Sequence, residues 1–186
     1  MTAVFLVERA AKGDREAFDL VVTTVIDQLY GLARIILRDA DLAEDAVQEA
    51  LIHCWRELPK LRDATRFDAW LQRLLVNAAV DQHRRRRRLR SVVTVLPQAS
   101  ADRDFTADLA IADELKAAFE RLRIEQRTVL VLHHYLGLAP AEIAEVLHVP
   151  VGTAKSRLHY ATQSMRAAVE AGMRSAPASG ARENAR

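Results

Sequence analysis

At 186 residues, half of them hydrophobic and only 5 % aromatic, the chain has material for one domain or two small ones, with the composition of an all-helical protein. A single cysteine, Cys54, excludes a disulfide framework or a thiolate zinc site. No apolar run approaches the about 18–20 residues of a bilayer crossing, so neither a membrane span nor membrane insertion is expected.

The N-terminal stretch carries no basic residues ahead of its apolar run and no cleavage site, so it does not read as a signal peptide, and a cytoplasmic location is expected. Val4 to Val25 reads as helix with a break at Lys12-Gly13-Asp14, where Asp14 can cap a helix over Arg15–Thr24. Ile26 to Arg38 is another amphipathic stretch, and the chain turns around Asp39–Asp41. Asp41 to Trp55 is a strong helix, with Leu42, Ala46, Leu51 and Trp55 on or near its buried side. Asp41, Glu44, Asp45, Gln48 and Glu49 form its acidic outer face. Acids suit the first turn of a helix, but Asp45, Gln48 and Glu49 extend past it and fit a basic protein partner. Glu57 to Arg66 reads as a loop.

In Phe67 to Arg90 the residues Phe67, Trp70, Leu71, Leu74, Leu75 and Ala78 fall in one helical stripe. The helix then runs into five consecutive arginines, Arg84 to Arg88. From Arg66 to Arg90 eight arginines face Asp68 and Asp81, a local net of +6 in a chain whose total is +2. One or two cations suit a helix C-terminus; five in a row repel one another and point to a polyanion such as nucleic acid.

Ser91 to Thr106 lacks helical period, contains Pro97 and reads as a flexible linker between two domains. Helix resumes over Asp108–Arg121, with Leu115 among its core positions, and Ile124 to Tyr135 reads as a short apolar helix. Gly137 ends it, Pro140 opens the next, and His148-Val149-Pro150 turns into a longer helix with Ala154, Leu158, Ala161 and Met165 on its inner side. This is a helix-turn-helix pattern. The outer face of its second helix carries Gly152, Thr153, Lys155, Ser156, Arg157, His159, Tyr160 and Gln163, among which Lys, Arg, Ser and Thr can meet base edges or phosphates. The tail from Ser175 reads as disordered. The six histidines form no ligand-spaced cluster, and no phosphate-binding glycine loop or nucleophile motif is present, so no metal, cofactor or catalytic residue is expected and an enzyme is disfavoured.

Three of these stretches, in this order, resemble one family. DAVQEALIHCW and FDAWLQRLLVNAAVDQHRRRRR are similar to regions 2.2 and 2.3–2.4 of bacterial RNA polymerase sigma factors of the extracytoplasmic-function (ECF) type. LGLAPAEIAEVLHVPVGTAKSRLHYA resembles their region 4 helix-turn-helix. The resemblance implies two small helical domains, a region 2 bundle over residues 1–90 and a region 4 unit over residues 108–172, joined by a linker over 91–107 and followed by a tail from 173. It implies that Asp45, Gln48 and Glu49 grip the β′ clamp helices of core RNA polymerase, whose β flap is a second contact. It places Arg66, Asn77, Asp81, Arg84 and Arg85 at the promoter −10 element, beside a loop at Leu58–Arg66 that captures a flipped base. Thr153, Lys155, Ser156, Arg157 and His159 would read the −35 element. The family commonly uses an anti-sigma factor as a further partner. Region 2.3 lacks the paired aromatics that wedge DNA open in primary sigma factors, which implies dependence on a near-consensus promoter. The rival reading, a stand-alone dimeric helix-turn-helix repressor, leaves the Asp45–Glu49 face without a role.

Overall fold

The computed structural model describes residues 2–92 and 113–175. Their first half is a bundle of four helices, α1 (Val4–Ala11), α2 (Arg15–Leu37), α3 (Ala40–Glu57) and α4 (Phe67–Val92). Local caps set its corners. Asp14 starts α2 by accepting from the Ala17 N–H at 3.0 Å, a bond that also holds its carboxyl below the usual range. Asp39 starts α3 by accepting from the Leu42 N–H at 3.1 Å.

The two amphipathic stretches expected over 15–38 are one continuous helix. It is the one described helix whose length and hydropathy would match a membrane span, contrary to the reading that no apolar segment comes close. Its apolar side is core: Val21, Val25, Leu29, Leu32, Ala33 and Ile36 are buried against the other helices, while Asp19 and Asp27 stay exposed. In α3 the buried stripe is Ala43, Ala46, Val47, Ala50 and Cys54. Leu42, Leu51 and Trp55 sit at its margins, because small residues let α3 lie close to α2 and α4 and push the bulky ones aside. Burial drives the Cys54 thiol up to about 12, which leaves it protonated and inert at neutral pH. The 57–66 segment is more ordered than a plain loop, forming 3-10 turns at Leu58–Lys60 and Ala64–Arg66 with Leu58 fully buried. Phe67, Leu71, Leu75 and Ala78 are buried as expected, joined by Val76 and Ala79.

The second half comprises α5 (Asp113–Glu120), α6 (Ile124–Leu130), α7 (Pro140–Leu147) and α8 (Val151–Ser175). The expected helix over 124–135 changes pitch at Val131–Tyr135 into a π turn, with the Leu136 N–H reaching back five residues to the Val131 carbonyl at 3.0 Å. That extra width keeps Val131 and Leu132 buried while Tyr135 meets Gln28 of α2, whose Nε2 donates to its hydroxyl at 2.8 Å. Leu115, expected in the core, is 40 % exposed on the rim of an apolar groove of about 560 Å³ with Leu32, Ile35, Phe119, Met165 and Val169. Residues 91–92, expected in the linker, and residues 173–175, expected in the tail, extend α4 and α8 instead; the rest of both segments lies outside the described residues.

The two halves are packed on each other. Arg127 of α6 is 6 % exposed and donates through Nε to the Ile36 carbonyl at 2.8 Å and through Nη1 to the Leu122 carbonyl at 2.7 Å. It thereby places a cation at the C-terminus of α2, where the helix dipole favours one. Burial pulls its pKa down to about 10, still protonated at neutral pH. Arg38, the left-handed cap of α2 at φ 58°, returns the contact by bonding the Glu120 carbonyl.

His148 ends α7 at φ 52°, in the left-handed region that disfavours a side chain. His148→Gly relieves that strain and is expected to raise stability by about 0.5–1 kcal/mol. A higher urea midpoint with an unchanged slope is the readout.

Candidate nucleic-acid interface

On α3, Asp45 and Gln48 project into solvent, but Glu49 turns toward α4 and its side chain is only 23 % exposed. Arg85 grips it in a two-pronged fork, Nη1 to Oε2 at 3.1 Å and Nη2 to Oε1 at 2.9 Å, and Gln82 Nε2 adds a third bond at 3.0 Å. The fork raises the Arg85 pKa. A residue assigned to polymerase and one assigned to DNA are thus joined across the α3–α4 seam.

The arginine run stays largely at the surface, with Arg84, Arg85, Arg87 and Arg88 exposed and Arg86 half-buried, but at least three of the five meet acids. Arg84 pairs with Asp81 at 3.4 Å, Arg85 with Glu49, and Arg86 with the α3 cap Asp39. At 3.6 residues per turn, consecutive arginines fan around the helix axis, so some must face α3 and its acids.

Asn77, Asp81 and Arg84 border, with Glu49, a cavity of about 220 Å³. Leu147 and His148, at the helix-turn-helix corner, form its other wall. Arg66 stands apart, exposed at the other end of α4 and about 27 Å from Arg84 along the axis. Beside it, Asp63 holds the turn by accepting from the Thr65 N–H at 3.0 Å and hydroxyl at 2.5 Å, which lowers its pKa.

Sequence reasoning did not select Arg73 as a site residue, although it shares the side of α4 that bears Asn77 and Arg84. Their spacing of four and seven residues was the available signal. Arg73 Nη2 reaches Glu142 of α7 at 3.5 Å, and its Nε is buried without a hydrogen-bond partner. The helix-turn-helix therefore lies against the α4 face that carries the −10 candidates.

On α8, Lys155, Ser156 and His159 are exposed, while Thr153 and Arg157 are half-buried at the edge of that face. The Ser156 hydroxyl donates to the Thr153 carbonyl at 3.0 Å, leaving its oxygen as an acceptor. The His159 ring bonds Gln163 at 3.0 Å and stands edge-on to Tyr160, itself 63 % exposed. Tyr160, expected on this outward face, was not selected as a −35 reader. Among the described residues no group of His, Cys, Asp and Glu is arranged to hold a metal ion.

A four-helix bundle with an acidic seam and an arginine-tipped helix, followed by a helix-turn-helix, defines a two-part DNA-binding transcription factor. Residues 21–89 match the family Sigma-70 region 2, and residues 112–165 match Sigma-70, region 4. The RNA polymerase sigma-H factor of Pseudomonas aeruginosa is 33 % identical, over 92 % of this chain and 95 % of that protein. The ECF RNA polymerase sigma factor SigW of Bacillus subtilis is 30 % identical, over 86 % and 92 %. Among solved structures, the sigma factor RpoE bound to the anti-sigma factor NepR, from Bartonella quintana, superposes with a TM-score of 0.63 at 25 % identity, covering 82 % of this chain and 96 % of that one. CnrH bound to the cytosolic domain of CnrY gives 0.56 at 27 %, covering 90 % and 97 %. The chain belongs to the sigma-70 family, as a member of its ECF type. It is a promoter-directing transcription initiation factor and not an enzyme.

Proposed function

We propose that the chain operates as two DNA readers tied to one polymerase grip, with region 2 over residues 1–90, a linker over 91–107 and region 4 over 108–172. Asp45, Gln48 and Glu49 take the β′ clamp helices, and region 4 takes the β flap. Arg66, Asn77, Asp81, Arg84 and Arg85 hold the −10 strand. Thr153, Lys155, Ser156, Arg157 and His159 read −35. The observation that carries the reading is the seam itself, where Glu49 meets Gln82 and Arg85 and borders one cavity with Asn77 and Asp81. A polymerase surface and a DNA surface that adjoin are what a subunit bridging the two requires, and a free repressor has no use for the first.

The halves must part on a promoter. The −35 and −10 elements lie about 25 base pairs apart, about 85 Å of duplex, whereas α7 here rests on α4 through Glu142 and Arg73. A cytoplasmic location follows from the partner. The apolar groove between the halves suits an amphipathic helix of an anti-sigma factor, which would hold the two together.

Run-off transcription with core polymerase on a cognate promoter tests this reading. Initiation that depends on the chain supports it, and equal initiation without the chain refutes it. Lys155→Ala is expected to weaken recognition of the cognate −35 sequence by about 1–3 kcal/mol if the ammonium meets a base edge. Binding measured on matched and mismatched −35 duplexes separates this from a uniform loss, which would make Lys155 a phosphate contact.

A further inference from the structure

Under the roles proposed above, Glu49 serves polymerase and Arg85 serves DNA, yet in the free chain each occupies the other. We propose that the Glu49–Arg85 fork is an intramolecular mask: Glu49 withholds Arg85 from nucleic acid until a polymerase cation takes the carboxylate.

Three features support it. The fork uses both terminal nitrogens of Arg85, at 2.9 and 3.1 Å, the same two-pronged geometry with which a guanidinium holds a phosphate. The partners also differ in freedom. The Glu49 side chain is 23 % exposed and fixed further by Gln82, while that of Arg85 is 56 % exposed. Arg85 is therefore the member able to swing to another anion without disturbing the core. The mask also sits at the point where the surfaces meet, since Glu49 borders the cavity shared by Asn77, Asp81 and Arg84 and walled by Leu147 and His148. An ion pair at a solvent edge is held weakly, so the mask lowers the hold of Arg85 on phosphate by a few-fold without closing it off, and a rival cation at Glu49 lifts it. Polymerase binding thus delivers an arginine to the −10 strand at the moment it is needed, and the free chain has reduced grip on other DNA.

The test uses the full chain without polymerase and a fluorescein-labelled single-stranded dT20, read by anisotropy over a salt series. Glu49→Gln is expected to bind about threefold to tenfold more tightly than the wild type, with a salt slope steeper by about 0.7 for one added phosphate contact. Asp45→Asn removes the same charge from the exposed face of the same helix, away from the fork, and is expected to change affinity by less than about twofold. Adding Arg85→Ala to Glu49→Gln should abolish the gain. The proposal is overturned if Glu49→Gln does not tighten binding, if Asp45→Asn tightens it as much, or if the gain survives in the Arg85→Ala background. The assay contains no polymerase, so failure here leaves the polymerase role standing, and failure to bind polymerase leaves this result readable.

Discussion

Asp45→Lys combined with Glu49→Lys is expected to abolish binding to core RNA polymerase. Each substitution replaces an acid proposed to meet a clamp-helix cation with a like charge. Losing one partner of a desolvated charge pair costs about 2–5 kcal/mol. Two together weaken binding by at least about a thousandfold. The two positions differ structurally. Asp45 is exposed, so its reversal alone should cost affinity without moving the thermal unfolding midpoint. Glu49 is held by Arg85 and Gln82, so its reversal also sets two cations against each other across the α3–α4 seam. A modest drop in stability with full helical circular dichroism is expected for the double variant. Titration of labelled polymerase with each variant is the check, and unchanged affinity for Asp45→Lys would remove this face from the polymerase interface.

The second large effect is expected at Arg127. Arg127→Ala removes both bonds to the carbonyls of Ile36 and Leu122 and opens a void where a long side chain was buried. Leaving buried acceptors unsatisfied costs about 1–3 kcal/mol, and the lost packing adds to it, for a total of about 2–4 kcal/mol. Because the Ile36 carbonyl belongs to α2 and Arg127 to α6, the loss falls on the contact between the halves. A lower urea midpoint together with a larger hydrodynamic radius is expected. Arg127→Lys keeps the charge but loses the guanidinium's fixed pair of donor directions, so only partial rescue follows. A radius and midpoint equal to those of the wild type would show that this arginine does not hold the halves together.

What was legible in the sequence was local. Asp14 as a cap, Gly137 as a stop and Pro140 as a start each follow from the chemistry of one residue and its neighbours. The α4 stripe follows from period alone, and the three sigma motifs carried the family. What was not legible depended on how one helix is turned against another. The Asp45–Glu49 stripe looks uniform on a helical wheel, but only the approach of α4 decides that Glu49 faces inward while Asp45 faces out. The same azimuth decides that Arg85 and Arg86 pair with Glu49 and Asp39. The continuity of α2 was missed because nothing between Thr24 and Ile26 breaks or joins a helix by itself. The neighbours that bury Val25 and Leu29 do the joining. The π turn at Val131–Tyr135 has no local signature; it is set by the need to bury Val131 and Leu132 and still bring Tyr135 to Gln28.

The central claim is that this chain works as a subunit of RNA polymerase, and gel filtration of the purified chain with and without core enzyme tests it most directly. Co-elution at a one-to-one ratio, lost on Asp45→Lys combined with Glu49→Lys, is the predicted result. Separate elution of wild-type chain and core enzyme, with no inhibitor bound to the chain, would contradict it and leave the helix-turn-helix to act alone.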